Sequence, residues 1–150
     1  MRNTSRVWIA AVILVVVAAS QPLLAADQTG TALVDKLSQL LNKTATSSVL
    51  DGNELNKSLS DLYAAVNGAK WEHRVDDRFH SRYTRVLEIF KLAISTEDIS
   101  EILHPLAQRE YVAFVKDVTG RTIDGEVSMP VLAQAITQEL ESMKKSQEQK

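Results

Sequence analysis

From Leu33 to Met143 the apolar residues recur at three- and four-residue intervals almost without a break, which constrains the fold more than any other feature. Leu33, Leu37, Leu40 and Leu41, with Val34 beside them, predict a first helix from Thr31 to about Lys43. The β-branched and polar stretch Thr44 to Ser48 reads as a loop. Asp51 is an N-cap candidate and Glu54 completes a capping-box-like pair, opening a second helix through Leu55, Leu59, Leu62, Tyr63 and Val66. Asn67-Gly68 closes it, with Gly68 suited to the left-handed position after a helix.

The third helix is predicted as the longest, about Lys70 to Ile94, with Trp71, Val75, Phe79, Tyr83, Val86, Phe90 and Ile94 on one stripe. Ser95 can cap a fourth, carrying Ile99, Ile102 and Leu103. His104 precedes Pro105 and is biased away from helical angles, while Pro105 suits the first position of a new helix. That helix holds Leu106, Ala107, Tyr111, Phe114, Val115 and Val118 and ends at Gly120. A polar turn, Arg121 to Glu126, leads to Ser128 as N-cap of the last helix, which carries Leu132, Ala135, Ile136, Leu140 and Met143. No stretch alternates at period two for long enough to build a sheet. The expected fold is all-α, one domain of four to five helices spanning 27–145, with short connections favouring antiparallel neighbours and a polar tail, 146–150, that frays.

Residues 1–26 follow a different plan. Arg2 and Arg6 precede an unbroken apolar run from Val7 to Ala19; Ser20-Gln21-Pro22 ends it, and Leu23-Leu24-Ala25-Ala26 offers small residues for cleavage. This is the layout of a secretory signal. A spanning helix needs roughly 20 apolar residues, and Pro22 stops this run short of that. The exported chain is expected to begin near Asp27, with Ala18-Ala19-Ser20 as a second cleavage position. If the segment is retained as an anchor, its two arginines hold the N-terminus on the cytoplasmic side; this is the only route to a membrane association. Either way residues 27–150 are expected in a periplasmic or extracellular space. The chain has no cysteine, so the core must stabilise it without disulfides; that suits a periplasm better than a small eukaryotic secreted domain. Asn42-Lys43-Thr44 and Asn56-Lys57-Ser58 match glycosylation sequons, relevant only on a eukaryotic route.

Removing the signal leaves 15 basic and 19 acidic residues, a balance that argues against nucleic acid as partner. The five glycines fall singly at junctions, so no phosphate loop or dinucleotide fingerprint can form. There is no G-x-S-x-G and no thiol. Asp51-Gly52 and Asp124-Gly125 each precede a helix; with Gly at the sixth position of a calcium loop the bidentate twelfth position falls on Ser58 and Val131, so both read as a turn before a helix. No cofactor is implied.

Two groupings on the expected third helix remain. At about 100° per residue from His73, Asp76 lies near 300°, Asp77 near 40° and His80 near 340°. Two imidazoles and two carboxylates are suitable donors for a divalent metal, although His73 and His80 sit about 10.5 Å apart along a helix. The competing reading is a solvated face paired to Lys70, Arg74 or Arg78. Arg74, Arg78, Arg85 and Arg82 lie near about 100°, 140°, 120° and 180°, flanking the apolar stripe, where they can meet an anionic partner or pair with local acids such as Asp77 and Glu88. The expectation is an exported, non-catalytic helical protein that binds another protein or an anionic cell-envelope component. The alternative is a metal- or small-ligand-binding protein of the same compartment.

Overall fold

The computed structural model describes residues 28–46, 51–95 and 104–150. They form five helices: α1 (Thr29–Thr46), α2 (Gly52–Trp71), α3 (Asp77–Ser95), α4 (His104–Thr119) and α5 (Met129–Glu148). No strand occurs among the described residues. The signal segment, and the helix expected around Ile99 to Leu103, lie outside them. Ser95 itself is the last residue of α3.

One apolar cluster joins all five helices, so this is a single all-α domain. Its centre comprises Leu37 of α1, Leu59 and Val66 of α2, Tyr83, Val86 and Leu87 of α3, Phe114 of α4, and Leu132 and Leu140 of α5. Tyr83 is fully buried and its hydroxyl donates to the Leu33 carbonyl at 2.8 Å, tying α3 to α1. Burial pushes that phenol well above its ordinary range. Phe79 stacks on Tyr83 with ring centroids 5.7 Å apart.

Polar contacts fix the helix directions. Lys43 near the end of α1 meets Glu54 near the start of α2 at 3.6 Å. Asn67 late in α2 bonds His80 early in α3 at 2.7 Å. Arg85 of α3 meets Asp117 at the far end of α4. Lys144 late in α5 meets Asp35 early in α1 at 2.9 Å, and Arg82 bonds both Glu139 and Ser142. Helices α1 and α3 therefore run one way, and α2, α4 and α5 the other.

The last connection departs from the short-turn expectation. Gly120 to Ser128 runs back along α4, and the Gln108 side chain accepts from Val127 N–H at 2.7 Å. Helix α4 is 16 residues long, roughly 24 Å, which an extended link of this length can retrace. Helix α5 consequently starts beside the start of α4 and lies parallel to it. Gly120, at φ 72°, provides the left-handed stop, and its N–H bonds the Lys116 carbonyl.

Four local expectations need correction. Thr44 to Thr46, expected in a loop, are the last residues of α1. The helix expected from Lys70 to Ile94 is two helices, because α2 continues through Gly68 to Trp71 and α3 begins at Asp77. Glu54 pairs with Lys43 rather than closing a capping box; Asp51 caps alone, accepting from Asn53 N–H at 3.0 Å. The tail is helical through Glu148, and Lys150 bonds Asp76. Ser128 takes the extended N-cap conformation without a side-chain bond, with proline in the first turn behind it.

Candidate functional site

The link between α2 and α3 explains where the sequence reading went astray. Helix α2 buries Leu55, Leu59, Leu62, Val66 and Ala69. Trp71 lies two residues past Ala69, about 200° around the helix, so its indole points away from the core. It is 87% exposed, the most exposed large apolar side chain among the described residues. The sequence reading placed it on the stripe of Val75 and Phe79 by assuming an unbroken helix between them.

The helix stops in a Schellman motif. His73 N–H bonds the Lys70 carbonyl at 3.0 Å and Arg74 N–H bonds the Ala69 carbonyl at 2.8 Å. The left-handed position of this motif belongs to His73, at φ 58°; Gly68 lies inside the helix. A histidine tolerates that conformation better than most residues but still bears a cost that glycine would not. Asp76 then caps α3, its carboxylate accepting from Phe79 N–H at 2.7 Å. Its other oxygen accepts from Lys150, the last residue of the chain. The Lys150 bond, and after it the Phe79 N–H, hold the Asp76 carboxyl below the usual carboxylate range.

Around this link the end of the bundle forms an open cleft of about 2040 Å³. Gln28 and Thr31 at the start of α1 line one side, and Lys144, Gln147, Glu148 and Lys150 at the end of α5 line another. Asn67 to Asp77 and His80 form the remainder. Gly30 lets α1 approach α5 closely: a Cβ there would come within 2.7 Å of the Gln147 side chain. Lys70 pairs with Asp77 at 3.4 Å and Arg74 with Glu72 at 2.9 Å, both well solvated. Such pairs contribute about 0–1 kcal/mol each.

The four metal-ligand candidates, His73, Asp76, Asp77 and His80, all line this cleft. They do not share a helix face, because His73 and Asp76 belong to the link. Each carboxylate is engaged by a lysine, and His80 is engaged by Asn67. Among the described residues no group of three or more His, Asp or Glu is disposed to hold a metal ion.

The arginines disperse. Arg82 is half-buried against Glu139 at 2.7 Å, and Arg85 meets Asp117 at 2.7 Å while lying over the Phe114 ring at 5.4 Å. Only Arg74 lines the cleft, and its partner is Glu72. Arg78 is exposed and helps lower the Asp76 pKa. The acids that take these arginines are Glu72, Glu139 and Asp117, not the intrahelical Asp77 and Glu88. The sequence reading missed Trp71, Asn67, Lys144 and Lys150 as site residues. The phase of Trp71 against Leu55 to Ala69 was a usable signal; the arrival of the α5 end was not legible locally.

No helix among the described residues is long and apolar enough to cross a membrane. No family model matches the chain, and neither a curated protein nor a solved structure matches it.

Proposed function

We propose that this is an exported, non-catalytic helical protein that binds another protein or a component of the cell envelope, and that its working surface is the cleft around Trp71. The observation that carries this is Trp71 itself, almost wholly exposed beside the strained His73 on a broad cleft. A solvated indole contributes nothing to this core, and tryptophan is enriched among residues that anchor partners. Strained backbone of this kind concentrates at binding and catalytic sites. Export follows from the tripartite segment before Asp27. The arginines of α3 are secondary in this reading, since Arg82 and Arg85 are committed to acids of neighbouring helices.

The test is affinity recovery from the native compartment with three baits: wild type, Trp71→Ala, and a triple Arg74/Arg78/Arg85→Gln variant. The cleft reading expects a partner that Trp71→Ala loses and the arginine variant keeps. The reverse pattern would return the binding surface to the arginine edge. The metal-binding alternative is disfavoured, because no group of three or more such ligands among the described residues is disposed to hold a metal ion; metal analysis of the purified protein tests it.

A further inference from the structure

We infer that the ligand of the Trp71 cleft is an oligosaccharide whose pyranose rings stack on the exposed indole. The inference rests on the cleft reading above and narrows it to one ligand chemistry.

The surroundings of Trp71 argue for a polar ligand with one apolar face. Val75 is the only other aliphatic or aromatic hydrocarbon side chain in the lining, and it is buried in the core. A protein interface centre has the opposite composition, with several apolar side chains and few charges. Here one flat indole stands alone in a ring of charged and amide groups. A pyranose ring matches that arrangement: its axial C–H bonds form an apolar face for the indole, and its equatorial hydroxyls reach outward to donors and acceptors.

Charge points the same way. The lining carries Lys70, Arg74, Lys144 and Lys150 against Glu72, Asp76, Asp77 and Glu148, so its formal charges cancel. It therefore has no net field to gather a polyanion or a polycation. Carboxylates and a guanidinium present paired, coplanar hydrogen-bonding atoms, suited to the vicinal hydroxyls of a sugar. Their mutual ion pairs are solvent-exposed and weak enough to exchange for ligand hydroxyls. The His73 ring has no hydrogen-bond partner among the described residues and is held in the cleft by a left-handed backbone. The size fits a chain of sugars better than one metabolite: small-molecule pockets run to roughly 300–1,000 Å³, and this open cleft is about 2040 Å³.

The chain contains two tryptophans, Trp8 and Trp71, so the full chain with Trp8→Phe reports on Trp71 alone. Chitotetraose, cellotetraose and maltotetraose are titrated while indole emission is followed, with calorimetry as a second readout. At least one should blue-shift the emission saturably, with a dissociation constant on the order of 0.1–1 mM for a single exposed stacking platform. Trp71→Ala should weaken that binding at least tenfold by calorimetry. Its far-ultraviolet circular dichroism should be unchanged, because the indole is outside the core.

Absence of binding by all three tetrasaccharides overturns the inference, as does binding that Trp71→Ala leaves intact. Emission that shifts with protein concentration alone makes a second copy the occupant and also overturns it. If the tetrasaccharides fail while a recovered protein still depends on Trp71, the glycan inference falls and the cleft reading stands. If neither depends on Trp71, both fall.

Discussion

Where α2 ends can be tested with two substitutions of opposite chemistry. If the helix stopped at Gly68, as the Asn67-Gly68 pair suggests, that glycine would be left-handed and Gly68→Ala would be strained. In the structure Gly68 is interior to α2, and a Cβ there meets nothing within 4 Å. Gly68→Ala should therefore stabilise the protein by about 0.5–1 kcal/mol, the difference between these residues inside a helix. His73 bears the left-handed conformation instead, at φ 58°. A Cβ costs about 1–2 kcal/mol there, while glycine returns about 0.4–1 kcal/mol to the unfolded chain. His73→Gly should thus stabilise by about 0.5–1 kcal/mol, with no hydrogen bond among the described residues lost. In a chain this size 1 kcal/mol shifts Tm by roughly 3–5 °C. Thermal unfolding followed by circular dichroism resolves both effects, and the double variant should show their sum within about 0.5 kcal/mol. A Gly68→Ala protein that melts below wild type would put the helix stop at Gly68 and refute the Schellman assignment to His73.

Three other outcomes follow from the core and the cap. Phe90→Ala should cost about 3–5 kcal/mol, the range for truncating a buried aromatic; an unchanged melting curve would mean that face is not core. Tyr83→Phe removes the hydroxyl that reaches the Leu33 carbonyl and should cost about 0.5–1.5 kcal/mol in chemical denaturation, with the denaturant slope unchanged. The depressed Asp76 carboxyl contributes stability that is present above its unfolded pKa and lost as pH falls through its lower folded value. Lys150→Gln removes the main cause of that depression, so the Asp76 carboxyl titration followed by NMR should move up; an unmoved midpoint would remove Lys150 from the cap.

Period and burial carried much of the architecture into the sequence. Among the described residues the helices carry most of the apolar positions read from spacing, and Phe79, Tyr83, Val86 and Phe90 of α3 are buried together with Val75 of the link; the stripe of Ile99, Ile102 and Leu103 lies outside the described residues. Two kinds of feature were not legible. One was the break after Trp71, because Trp71 and Val75 keep four-residue spacing across it and Gly68 offers a more ordinary stopping place. Asp76-Asp77 was the available counter-signal, an N-cap followed by an acid in the first turn. The other was the direction of α5. Nothing local in Gly120 to Ser128 states that the chain retraces α4; this follows from Gln108, nineteen residues away, taking Val127 as partner. That reversal brings Lys144, Gln147 and Lys150 to the link and so completes the cleft.

On the proposed reading, the same link bears on both stability and binding. Glycine at position 73 would make a more stable helix stop, and a polar side chain at position 71 would expose less apolar surface. Both positions instead hold aromatic rings that line one cleft, one on a left-handed backbone and the other 87% exposed. That pattern belongs to sites where stability is traded for function. It separates two explanations of the strain at His73. If the imidazole serves the ligand, His73→Gly should raise Tm and at the same time weaken whatever binding Trp71 supports, by several-fold if one hydrogen bond of about 1 kcal/mol is lost. His73→Asn tolerates the left-handed backbone and keeps a donor and an acceptor there, so it should retain more of the binding than glycine does. If His73→Gly gains stability and binds as wild type does, the strain at this position has no part in recognition, and Trp71 alone defines the site.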